Sequence, residues 1–293
     1  MSHAEGSYYL PEPSHWPVVG SIGLFLTTGG FAMFLGGASP YIMYAGFIVL
    51  AIMLFGWFGT VIDESEAGKY NAQVDTSFRM GMMWFIFSEV MFFAAFFGAL
   101  YYARTLAGPW LDGAGSNALT GSLLWPDFKF EWPLLSTPGP ESMAGQAFAK
   151  PSDIIPAWGV PFYNTIILLT SGVTVTWAHH ALKKGNRNQL IIGLALTVAL
   201  GFLFVFLQAE EYIEAYGMDL KLTSGIYGST FFMLTGFHGL HVTIGAIMLL
   251  VMLVRSIKGH FTAQHHFAFE AAAWYWHFVD VVWLGLFIFV YWL

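Results

Sequence analysis

The 293-residue sequence contains no cysteine. That excludes disulfides, iron–sulfur clusters, thiolate zinc centres, cysteine-ligated copper and cysteine nucleophiles, each of which needs a sulfur this chain lacks. Charge is nearly as scarce, since 10% of residues are Asp, Glu, Lys or Arg, where a soluble domain carries about 25%. The basic complement is 11 Lys and Arg against 18 acids, a net charge of −7. Such a balance gives no footing to nucleic-acid binding, which depends on clustered basic side chains. No Lys or Arg occurs between Met1 and Pro17 and the first apolar run is long, so no cleavable signal peptide is expected. A phosphate loop, a serine elbow and a dinucleotide fingerprint are likewise missing from the sequence.

What the chain has instead is apolar surface: 57% hydrophobic and 18% aromatic residues, with a mean hydropathy of +0.62. Runs long enough to cross a bilayer are expected at about 17–38, 41–62, 80–106, 161–182, 189–209, 225–254 and 267–293. They are continuously apolar rather than alternating, which argues for helices and against a barrel. The expected fold is therefore an all-α membrane protein with seven transmembrane helices. Ala38-Ser39-Pro40, a charged loop Asp63 to Ser77, a basic loop Lys183 to Gln189, and the stretches Tyr216 to Ser224 and Arg255 to His266 punctuate the runs. The longest connection, about 107–160, is rich in Gly, Pro, Ser and Trp and is expected to be an ordered surface loop with short helices.

Seven basic residues (Lys69, Arg79, Lys183, Lys184, Arg187, Arg255, Lys258) fall on one side of this layout and four (Arg104, Lys129, Lys150, Lys221) on the other. Positive charge is retained in the cytoplasm, which places the amino terminus inside and the carboxyl terminus outside. The first two spans contain no acidic, basic or histidine side chain, and Asp63-Glu64-Ser65-Glu66 separates them from spans that do. The sequence thus divides into 1–66, carrying a helix pair, and 67–293, carrying a five-helix bundle. Gly20, Gly23, Gly29, Gly30, Gly36 and Gly37 suit close packing of the first span, or are simply small membrane-helix residues.

Ionisable groups inside a membrane are costly, so each is a candidate for function. Glu89 lies ten residues after Arg79, about 15 Å along a helix and near the midplane. Burial among Trp84, Phe85, Phe87, Phe92 and Phe93 favours its neutral acid form, either as a proton-active carboxyl or as a hydrogen-bonded structural one. His238 and His241 in the sixth span, and His277 and Asp280 in the seventh, each share a helix face at i, i+3. They read either as a haem or metal site or as an interhelical polar clamp, and the clamp is preferred because same-helix histidines do not by themselves sandwich a haem. His179-His180, His260 and His265-His266 are expected at the cytoplasmic surface, as a solvated rim in preference to a proton-concentrating or headgroup-binding patch, and Glu210, Glu211 and Glu214 on the outer side, as solvated acids in preference to a partner contact.

The last span, Phe269-Glu270-Ala271-Ala272-Ala273-Trp274-Tyr275-Trp276-His277-Phe278-Val279-Asp280-Val281-Val282-Trp283, closely resembles the signature of cytochrome c oxidase subunit III. Ser14 to Pro17, Ser88 to Phe93, Ser171 to His180, Leu207 to Tyr212, Gly228 to Phe232 and Thr235 to Val242 are similar to further blocks of that family. The resemblance covers essentially the whole chain. It implies a non-catalytic core subunit of a haem–copper terminal oxidase, with two helices separated by a lipid-filled cleft from five. Haem and copper would then reside in oxidase subunits I and II, with cytochrome c or a similar donor acting on the complex, and this chain would hold no metal and no catalytic residue. Glu89 matches the family's buried, carbodiimide-reactive glutamate, and Glu64 and Arg79 match positions near bound phospholipid headgroups. The long loop is similar to that of bacterial members, which implies a bacterial plasma membrane. The alternatives from other classes are an autonomous haem-binding electron carrier using His238, His241 and His277, and a proton-coupled transporter using Glu89.

Overall fold

A computed structural model describes residues 9, 10, 12–136, 138, 142, 143, 146, 147 and 150–293. Its long helices are α1 (Trp16–Leu35), α2 (Tyr41–Glu66), α3 (Ala72–Tyr102), α4 (Val160–Lys183), α5 (Arg187–Gly217), α6 (Gly225–Lys258) and α7 (Phe267–Leu286), the last continued by a π-helical turn, Phe287–Trp292. An apolar run in lipid has no water to satisfy its peptide groups, and a helix satisfies them within the segment. Among the described residues six helices are long and apolar enough to cross a membrane, and α4 alone of the seven is too polar to qualify on composition. The protein is a multi-pass all-α membrane protein.

The polarity of α4 has a structural use. Thr165, Thr170, Ser171 and Thr176 return their hydroxyl protons to backbone carbonyls one turn back, at 2.6–2.9 Å. Their oxygens remain acceptors. Ser171 accepts from Trp276 Nε1 and Thr165 from Trp283 Nε1, both at 2.9 Å, and Thr174 meets Thr197 of α5 at 2.8 Å. The two tryptophans are fully enclosed, and with Phe204, Phe231 and Phe269 they make α7 the hub on which α4, α5 and α6 pack.

The charged stretch expected as a loop from Asp63 to Ser77 is mostly helix. Asp63 to Glu66 extend α2, because these residues are compatible with helix once the chain has left the lipid. The turn comes at Gly68, whose φ of +68° only glycine adopts without strain. Asn71 then accepts the Val74 amide at 3.0 Å and starts α3, with Asp75 in its first turn against the positive helix end.

By internal packing the chain forms two units, one ending at Gly81 and one beginning at Met82. In the first, α1 and α2 approach so closely that a Cβ on Gly30 would meet the Met43 backbone nitrogen at 2.3 Å, and one on Gly46 the Thr27 nitrogen at 2.4 Å. The glycines of the first span therefore divide. Gly20, Gly23 and Gly30 face α2, Gly29 faces open space, and Gly36 and Gly37 end the helix.

In the second unit, α3 reaches α6 through large side chains, with Phe92 edge-on to Phe237 at 5.0 Å and Phe96 tilted against it at 5.2 Å. The connection after α3 contains short helices at Gly108–Leu111 and Ala118–Leu124, as its composition suggested. A two-residue antiparallel ladder, Ser142–Met143 with Gln146–Ala147, is the extended pairing among the described residues.

Candidate functional site

Glu89 finds its partner 152 positions away: His241 Nε2 lies 2.9 Å from Glu89 Oε2. The other imidazole nitrogen, Nδ1, is 2.6 Å from the Phe237 carbonyl one turn back on α6. A carbonyl only accepts, so Nδ1 carries hydrogen and donates. One further proton then serves the Glu89–His241 contact. It sits on the carboxyl and is donated to the Nε2 lone pair, or on Nε2 and is donated to the carboxylate. With no proton there two lone pairs would face each other. In both arrangements the pair is neutral overall, the condition a membrane interior tolerates. The rings of Phe92, Phe93 and Tyr275 close around the imidazole at 4.9–6.3 Å, and the Glu89 side chain keeps 20% exposure.

Of the four polar residues of the sixth and seventh spans, His277 and Asp280 meet each other, and His238 and His241 take other partners. His241 belongs to Glu89. His238 sets Nε2 3.2 Å from the Val279 carbonyl, and its ring lies between Phe204 and Trp283 at 5.6 and 5.1 Å. His277 donates from Nε2 to Thr176 Oγ1 at 3.2 Å, since the Thr176 proton is already given to the Gly172 carbonyl. Its Nδ1 lies 3.6 Å from Asp280 Oδ2, an ion-pair distance rather than a hydrogen bond. The haem alternative would require these commitments to be broken. Asp280 is 7% exposed, its Oδ1 has no hydrogen-bond partner, and it borders an open groove of ≈ 400 Å³ with Leu169, Thr176, His277 and Leu284.

Glu64 and Arg79 both belong to the first unit. Tyr70 donates its hydroxyl to Glu64 Oε2 at 2.8 Å, and Arg79 Nε donates to Asp75 Oδ2 at 2.8 Å. Burial, and after it the adjoining Glu64 carboxylate, raise the Tyr70 phenol above its ordinary pKa.

Sequence reasoning missed Glu211. Read as a solvated acid, it is fully buried, accepting from Tyr291 at 2.5 Å and from Gln208 Nε2 at 2.9 Å. Its neighbours in sequence, Glu210 and Glu214, concealed it, because only one face of α5 turns inward and Gln208, at i−3, shares that face. His179 also departs from the solvated rim. It is only partly exposed, and its Nε2 is enclosed without a partner.

A profile of the family "Cytochrome c oxidase subunit III" matches residues 6–137 and 140–293. The chain belongs to the cytochrome c oxidase subunit III family. Relatives named cytochrome c oxidase subunit 3 include those of Squalus acanthias and Pongo abelii, each 43% identical over 295 residues, and that of Tetraodon nigroviridis, 42% identical over 295 residues. Each alignment covers 100% of this chain and 99% of the relative. A subunit III of this family is part of the cytochrome c oxidase complex, so the activity in which this chain takes part is that of the assembled enzyme. The Glu89–His241 contact lies within blocks that carried the resemblance, Ser88 to Phe93 and Thr235 to Val242.

Proposed function

We propose that this chain is a structural and modulating subunit that packs against catalytic subunit I, beside subunit II. It holds phospholipid and sustains proton uptake while the complex reduces oxygen to water in aerobic respiration. Haem and copper, on this reading, belong to subunits I and II, and cytochrome c or a similar donor delivers electrons to the complex. The observation that carries the proposal is the Glu89–His241 pair. His241 Nε2 and Glu89 Oε2 join α6 to α3, while His241 Nδ1 is held by the Phe237 carbonyl of its own helix. That arrangement suits a clamp and leaves no imidazole of the pair free for an axial haem bond.

The groove bordered by His277 and the half-satisfied Asp280 is the face we assign to a partner subunit, which would supply the missing donor. Arg79 supports the lipid reading as a guanidinium suited to phosphate, with Glu64 beside Tyr70 as the second lipid-site residue. The bias of Lys and Arg supports a cytoplasmic amino terminus and a periplasmic carboxyl terminus. The length of the 107–160 connection supports a bacterial plasma membrane.

The test is the reduced-minus-oxidised visible spectrum of the tagged complex in mild detergent, repeated after its partners are stripped. Haem bands that leave with the partners while the stripped chain stays folded support the proposal. Stoichiometric haem on the isolated chain overturns it.

A further inference from the structure

Outside the Glu89 region, three side chains that the sequence scatters converge where α4 ends and α7 begins. His179 is in the last turn but one of α4, His266 is the residue before α7, and Glu270 is in the first turn of α7. One ligand atom from each lies within 4.8 Å of the other two, the one such set of three among the described residues. We propose that His179, His266 and Glu270 bind a divalent transition-metal ion, zinc by preference.

Proximity is not the whole case. The Nε2 atom of His179 is enclosed and has no hydrogen-bond partner, an arrangement that is rare unless an ion or water completes it. His266 is oriented as a ligand. Its Nδ1 lies 3.1 Å from the Thr262 carbonyl and donates to it, which leaves the lone pair on Nε2, the outer-shell arrangement that metal-bound imidazoles adopt. His266 caps α7 and Glu270 lies in its first turn, so the start of one helix presents both.

The donor set decides the metal. Two imidazoles and a carboxylate, with no sulfur in the chain, suit zinc, leaving a fourth position for water. Zinc–nitrogen bonds of about 2.0–2.1 Å put tetrahedral ligands about 3.3 Å apart. A set already within 4.8 Å is at most about 1.5 Å from that spacing. Two positive features oppose a cation here, Lys183 one turn beyond His179 and the amino-terminal end of α7. Lys183 is exposed and can direct its ammonium to water, while the Glu270 carboxylate offsets the helix end. A bound ion would fasten the end of α4 to the start of α7 across the turn at Thr262 to His265.

The experiment uses the assembled oxidase containing this chain, stripped with chelator and equilibrated with zinc chloride over a range of buffered free concentrations. Bound zinc is counted by mass spectrometry, and its ligands are read by X-ray absorption, for the wild type, His266→Ala and Glu270→Gln. The expected result is one more zinc per complex in the wild type than in either variant, with affinity lowered by at least about tenfold in each and imidazole scattering lost in His266→Ala. Equal zinc content and affinity in all three overturns the proposal, as does zinc without imidazole ligation. Should His266→Ala fail to assemble, as judged by loss of the chain from the complex, the near-isosteric Glu270→Gln decides on the same readouts.

Discussion

At Glu89 the hydrogen-bond geometry makes a prediction that charge alone does not. Gln in its place keeps an N–H to donate to the His241 Nε2 lone pair, so Glu89→Gln is expected to leave assembly and steady oxygen reduction largely intact. Ala cannot donate, and a buried imidazole nitrogen without a partner costs about 1–3 kcal/mol. Glu89→Ala should therefore lower the thermal stability of the complex where Glu89→Gln does not. Proton pumping that falls in Glu89→Gln while electron transfer persists would show that the carboxyl does more than hold α3. Glu211 is the second residue of this kind. Tyr291→Phe removes its shortest hydrogen bond and leaves Gln208 as its remaining donor. The expected cost is again about 1–3 kcal/mol, read as faster hydrogen exchange in the Phe287–Trp292 turn.

Between elements, packing distances replace single contacts. Gly30→Ala would drive a methyl into the Met43 backbone and push α1 from α2, whereas Gly29→Ala meets nothing within 4 Å. The first should destabilise by about 1–3 kcal/mol, and the second should be neutral, in thermal unfolding of the detergent-solubilised complex. Equal behaviour of the two variants would contradict the close approach. α4 illustrates the converse, a helix whose side chains are polar because its neighbours are large. Trp276 and Trp283 each bring an indole N–H that must be met in the interior, and the hydroxyls of Ser171 and Thr165 meet it.

For the whole molecule the absence of cysteine makes the side of the membrane that each loop faces measurable. Ser116→Cys, in the long connection, and Lys184→Cys, between α4 and α5, are both at exposed positions. An impermeant thiol reagent applied to intact cells should label Ser116→Cys at once and Lys184→Cys only after the membrane is opened. The reverse pattern would invert the proposed topology. Both variants also report on assembly, since a reagent blocked at an exposed position in the complex but not in the stripped chain marks a partner contact.

Composition and hydropathy determined the class of this protein, because 57% hydrophobic residues with 10% charged ones leave the bilayer as the solvent in which the chain can fold. The seven helices were legible for the same reason, since a run of about 20 apolar residues has few other options in lipid. Long contiguous motifs such as Trp274 to Trp283 carried the family. Helix ends in water were less legible, and Asp63 to Glu66 joined α2 because hydropathy records where lipid stops, not where a helix does. The site was legible only in part. Glu89 stood out by its surroundings in sequence, yet its partner His241 did not, nor did the burial of Glu211 or the meeting of His179 with His266 and Glu270. Local pattern states which residue types share a helix face. Which face meets which, and so which buried polar atom finds a donor, depends on side chains far apart in sequence, and only the packed bundle decides it.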